Sequence, residues 1–165
     1  MARIASDVEF VIDHFDFALE PGKALESYMQ SSRLLTVMLV LNLLYEAGLI
    51  FFLVANYDYV LVQIVELYRM VTISRIDTIL RVTYTIDIVL CSLSYGAGFY
   101  AVWSHRTSAY EWFVRLVLLT AVSKIVMSYL NVLNVMVFIM KVALFLMGRF
   151  VLSLLHTVLL VPQRH

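Results

Sequence analysis

From residue 112 to residue 161 the chain runs 50 residues with no proline and a single glycine, Gly148, and nothing inside it reads as a polar loop. At about 1.5 Å per residue one helix of that length would reach roughly 75 Å, whereas the hydrocarbon of a bilayer is about 30 Å thick. The run is too long and too apolar for a soluble core, and too long for one membrane crossing. It must therefore fold back on itself. Asn131-Val132-Leu133-Asn134 is the best place for the reversal, giving antiparallel helices over 114–133 and 135–161; a turn near Lys141 fits almost as well.

The rest of the chain agrees with that class. Hydrophobic residues make up 62% and charged residues 15%, and the mean hydropathy is +0.89, values that only a polytopic membrane protein holds comfortably. The formal net charge is zero and there is no basic block, so nucleic acid is not an expected partner. Cys91 is the one cysteine, which excludes an intrachain disulfide. The expected fold is an all-α polytopic helix bundle of four to five transmembrane helices, with an N-terminal amphipathic helix. Its parts are an extramembrane arm (1–33), the bundle (34–161) and a short polar tail (162–165).

Ser6-Asp7-Val8-Glu9 is a capping box, and the apolar residues that follow recur at helical spacing until Pro21-Gly22, which is expected to end that helix. Residues 1–20 carry Asp7, Glu9, Asp13, Asp16 and Glu20 against Arg3 alone, the acids mostly off the apolar face. Such acidity suits a protein surface, or the chain's own bundle, better than anionic lipid. It also lacks the order of a secretory signal or a mitochondrial presequence, so targeting information is expected inside the chain.

The first clear span is 34–55, where Asn42 and Glu46 lie four apart on one face that must look inward. Between 57 and 81, Gln63, Glu66, Arg69, Thr72, Arg75, Thr78 and Arg81 fall at every third position. A spacing of three that includes cationic residues resembles the voltage-sensing helix of cation channels, although only Arg69, Arg75 and Arg81 are basic and Glu66 and Asp77 interrupt it. The other reading is an interfacial helix whose arginines snorkel to lipid headgroups, anionic ones such as cardiolipin included. The next span, 82–103, contains Asp87 and two overlapping pairs of small residues, Ser92 with Gly96 and Ser94 with Gly98, which let another helix come close. Tyr100 and Trp103 precede a polar turn over 104–111, and Tyr110 and Trp112 close it, as aromatic residues do at a membrane–water boundary.

The charges within these spans are the candidate functional residues. Thr120, Lys124, Ser128 and Asn131 share one helical face, and Lys141, Arg149 and His156 are read as a second. Glu46, Glu66 and Asp87 are the available counter-charges. Each unpaired charge in hydrocarbon costs at least about 2.5–3.5 kcal/mol, so pairing is expected, as a device that sets helix register or as contacts to neighbouring subunits; a proton or ion path is the sharper alternative. The four histidines are scattered and Cys91 has no metal-ligating partner at a suitable spacing, so no metal or cofactor is expected. Phosphate loops and nucleophile elbows are absent as well, and no enzymatic activity is expected.

Together these features predict a non-catalytic accessory subunit of a larger membrane complex, with other membrane subunits and lipids as partners. An energy-converting assembly of the mitochondrial inner membrane, a respiratory complex or ATP synthase, is the first choice among such complexes. The alternative is a small proton or cation channel.

Overall fold

A computed structural model describes residues 21–67, 72–128 and 133–160. Its elements are five helices: α1 (Pro21–Ala55), α2 (Tyr57–Leu67), α3 (Ile73–Ser104), α4 (Thr107–Ser128) and α5 (Leu133–Leu160). The amphipathic helix expected over 6–20 and the tail over 162–165 lie outside the described residues.

Pro21-Gly22, expected to end a helix that lies outside the described residues, opens α1. Proline fits the first helical position because the amide it lacks would have no intrahelical partner there. From Pro21 the helix continues without a break through Arg33 and Leu34, so the expected boundary between arm and bundle falls inside α1.

The segment 57–81, expected as one element, is divided. Asn56 closes α1, its amide and its side-chain Nδ2 both bonded to Phe52 O at 3.0 and 2.8 Å. A new helix then starts at Thr72, which is extended and whose carbonyl accepts the amides of Arg75 and Ile76. The three-residue stripe is thereby split: Gln63 and Glu66 belong to α2, whereas Arg75, Thr78 and Arg81 belong to α3. A step of three advances only 300°, so such a stripe winds around a helix and keeps to no single face.

The aromatic-bracketed hairpin falls within the expected 104–111. His105 has φ 53°, in the left-handed region, and donates its amide to Ala101 O at 3.0 Å, ending α3. Arg106 O then accepts the amides of Ala109 and Tyr110 to open α4. Histidine enters this conformation more readily than branched residues do. Here it is held by Tyr28 of α1, whose hydroxyl lies 2.7 Å from His105 Nδ1.

Four helices, α1, α3, α4 and α5, pack as antiparallel neighbours. The side-chain pairings Tyr28–His105, Glu46–Tyr95 and Asp87–Lys124 fix their directions. The larger apolar core surrounds Phe113, which inserts between two glycines of neighbouring helices. A Cβ on Gly98 would lie 2.8 Å from the Phe113 ring, and one on Gly148 would lie 2.9 Å from it. Of the two small-residue pairs expected on α3, Ser94 and Gly98 face this core, whereas Ser92 and Gly96 are exposed. A second apolar cluster at the opposite end joins Leu49 and Leu53 to Val60 and Ile64 of α2 and to Ile76 and Leu80 of α3.

The outer surface is the apolar one. Phe51 is 76% exposed, Val54 69% and Leu44 63%, whereas Glu46, Asp87, Lys124 and Lys141 are all exposed by 3% or less. By length and composition three helices can cross a membrane, over Lys23–Ala55, Ile73–Ser104 and Leu133–Leu159. The expectation was four to five. The fourth bundle helix, α4, carries Glu111, Arg115 and Lys124 within its 22 residues.

Candidate functional site: a buried charge cluster

Each bundle helix sends at least one polar side chain to a common point. Asn42 and Glu46, four residues apart on α1, turn inward together; Asp87, Cys91 and Tyr95 do the same on α3; α4 supplies Ser123 and Lys124; α5 supplies Lys141. Lys124 Nζ lies 2.5 Å from Asp87 Oδ2 and 3.0 Å from Glu46 Oε1, bridging the two acids. Lys141 Nζ lies 2.9 Å from Glu46 Oε2. Two carboxylates face two ammonium groups, and the set is neutral.

The remaining lone pairs are also met. Ser123 donates to Asp87 Oδ1 at 3.0 Å, the Cys91 thiol lies 3.4 Å from Glu46 Oε1, and the Tyr95 hydroxyl donates to Glu46 Oε2. Tyr95 Oη is also 2.8 Å from the side-chain oxygen assigned to Asn42, while Asn42 Nδ2 has no partner. One hydroxyl proton cannot serve two acceptors. Turning the Asn42 amide over lets its NH2 donate to Tyr95 Oη and leaves the phenol proton for Glu46. Lys141 approaches Glu46 obliquely, close enough for ion pairing but without an aligned hydrogen bond. Its ammonium also sits 4.0 Å from the centre of the Tyr95 ring, whose face stabilises the cation further.

This geometry holds helices together. Removing one partner would leave a charge in a medium that cannot solvate it, at a cost of about 3–5 kcal/mol, so each helix is tied to the next by a contact that is expensive to break. Toward the His105 end the interior becomes apolar, through Leu35, Leu39, Phe113, Val117 and Leu144. Thr120 and Ser94, which also point inward, return their hydroxyls to carbonyls of their own helices.

On the α2 side a cavity of about 210 Å³ reaches the cluster between α1 and α3. At its rim Arg81 Nε donates to both Asp77 oxygens, at 2.9 and 3.1 Å, and Tyr57 donates to the same carboxylate at 2.5 Å. The Arg81 guanidinium lies 5.4 Å from the centre of the Tyr57 ring. Desolvation, and then the bond to Asp77, hold the Tyr57 phenol above its ordinary pKa.

Of the seven charges expected to pair or to line a path, the structure brings together Glu46, Asp87, Lys124 and Lys141. Glu66 is exposed on α2, and Arg149 and His156 are exposed on α5. Lys141 does not share a face with the latter two: eight residues at 100° each leave Arg149 about 80° away around the axis. Among the arginines expected at headgroups, Arg75 is exposed, Arg81 is exposed and paired with Asp77, and Arg69 lies outside the described residues. The sequence reading did not single out Tyr95 or Ser123. The run Asp87, Cys91, Ser94 and Gly98, stepping by four, three and four, marks the inner face of α3 and could have drawn in the adjacent Tyr95. Among the described residues no group of three His, Cys, Asp or Glu side chains could hold a metal ion.

No family model, no curated protein and no solved structure matches the chain.

Proposed function

We propose that the chain is an integral membrane protein in which α1, α3, α4 and α5 cross the bilayer and α2 lies at one surface, and that it serves as a non-catalytic subunit of a larger membrane assembly. The observation that carries this reading is the inverted distribution of polarity: a neutral, fully buried set of two acids and two lysines inside, and large apolar side chains outside. In water that arrangement would expose the hydrophobic surface and bury the ions. In oil it does the reverse of harm, because the charges need each other and the surface needs lipid. Residues 34–55 span about 33 Å, the thickness of the hydrocarbon, with Arg33 at one end and Asn56 at the other. Trp103 and Trp112, 80% and 62% exposed, supply aromatic anchors at the His105 end.

A supporting role fits better than conduction. An ion reaching the cluster from the α2 side would next meet Leu39, Phe113 and Leu144, where among the described residues no charged group is buried and the inward hydroxyls of Ser94 and Thr120 are bonded back to their own helices. Arg149, exposed beside that apolar core, offers a cation to a neighbouring subunit or a headgroup. The choice of an energy-converting complex of the mitochondrial inner membrane rests on how common small polytopic subunits are in such assemblies. Native electrophoresis after mild detergent extraction tests the proposal: the protein should migrate in a particle many times its own 19.0 kDa. Migration alone, or proton or potassium flux through liposomes that is lost on Glu46→Gln or Lys124→Met, would overturn the subunit reading in favour of a channel.

A further inference from the structure

The cavity between α1 and α3 is built from two unlike parts. Its inner end is polar, formed by Glu46, Asp87, Lys124 and Asn134, whereas Leu49, Ile50, Leu53, Val54 and Ile88 wall the outer part, with Tyr57, Thr85 and the Asp77-paired Arg81 at the rim. Val54 and Ile88 are 69% and 39% exposed on the apolar outer surface, so the mouth opens sideways into the region where lipid chains would lie. Two donors remain unspent at the polar end. Tyr84 Oη is buried without any partner. Lys124 has three N–H groups, of which one donates to Asp87 and a second faces Glu46 in the ion pair.

We propose that this cavity binds a neutral single-chain amphiphile, whose carbonyl oxygen accepts hydrogen bonds from Tyr84 Oη and the third Lys124 N–H while its chain leaves between α1 and α3. The charge of the head follows from the cluster. Glu46 and Asp87 are already matched by Lys124 and Lys141, so an anionic or cationic head would add an uncompensated charge in oil. The acceptor follows from the two free donors, and a buried donor left unmet is costly. The size follows from the space: about 210 Å³ takes a small head and its first methylenes, below the usual range for a drug-sized ligand.

The inference rests on the membrane location proposed above, which resistance to alkaline extraction checks separately. With the full chain in lipid nanodiscs, a dodecyl methyl ketone bearing a diazirine on its chain, several methylenes from the carbonyl, should, on illumination, label residues 50–54 and 84–88. Excess unlabelled ketone should abolish that labelling, and dodecanoate or dodecylammonium should not. Tyr84→Phe, which keeps the ring, should weaken competition by about 5-fold or more, as expected for one lost hydrogen bond. Ile50→Trp should fill the outer part and remove the labelling. Labelling spread over the outer surface of all helices, indifference to Tyr84→Phe, or stronger competition by either charged analogue would overturn the proposal, and because Tyr84→Phe is nearly isosteric this holds even if Ile50→Trp does not fold.

Discussion

Lys124 and Asp87, 37 residues apart in the chain, meet at 2.5 Å inside the bundle. Lys124 Nζ also lies 3.0 Å from Glu46, so α1, α3 and α4 converge on one ammonium group.

Lys124→Met should therefore destabilise the bundle by about 3–5 kcal/mol, because it leaves the buried Asp87 carboxylate unpaired while Glu46 keeps Lys141. The double variant Lys124→Met with Asp87→Leu should recover a large part of that loss by removing a stranded acid. Reversible unfolding in mixed detergent micelles, run as a double-mutant cycle, measures the coupling. Additive losses would mean that the two residues do not interact.

Tyr95 acts on Glu46 through its hydroxyl and on Lys141 through its ring. Tyr95→Phe keeps the ring and should cost about 1.5–3 kcal/mol, the value of a hydrogen bond to a charged group. Tyr95→Leu should cost more, since the cation–π contact is lost as well. Equal effects of the two substitutions in the same unfolding assay would show that the ring contributes nothing to Lys141.

The glycines divide into two kinds. Gly98→Ala and Gly148→Ala each place a methyl group within 3 Å of the Phe113 ring and should destabilise by about 1–3 kcal/mol. Gly48→Ala and Gly96→Ala meet nothing within 4 Å and should be neutral or stabilising by up to about 1 kcal/mol, from helix propensity alone. Phe113→Leu should relieve the Gly98→Ala variant, which thermal unfolding of the pair in detergent would register as a recovered midpoint.

Topology is open to chemical labelling. In a Cys91→Ala background, single cysteines at Glu26 and Ser108 should react with a membrane-impermeant maleimide from one side of sealed vesicles, and those at Asp58 and Ser74 from the other. Reaction of Glu26 and Ser108 from opposite sides would exclude the four-span arrangement.

Cys91 itself should resist N-ethylmaleimide in the folded protein and react after unfolding, because its thiol is enclosed between Glu46 and Asp87. Stoichiometric modification without loss of structure, followed by mass spectrometry, would contradict the buried placement.

Much of this was legible in the amino-acid sequence. Apolar runs of 20 residues or more read as helices long enough to cross a membrane, and the aromatic pairs around 104–111 bracket the observed hairpin as they do at an interface. Helical spacing placed Asn42 with Glu46 and Thr120 with Lys124, since residues three and four apart share a face whatever surrounds them. Which charge meets which could not be read in that way. Pairing depends on the rotation and axial shift of one helix against another, set by Phe113 seated between Gly98 and Gly148, and these are contacts between residues far apart in the chain. The same packing turned Lys141 inward and left Glu66, Arg149 and His156 outside, because the bundle interior has room for only those ions that its geometry can neutralise.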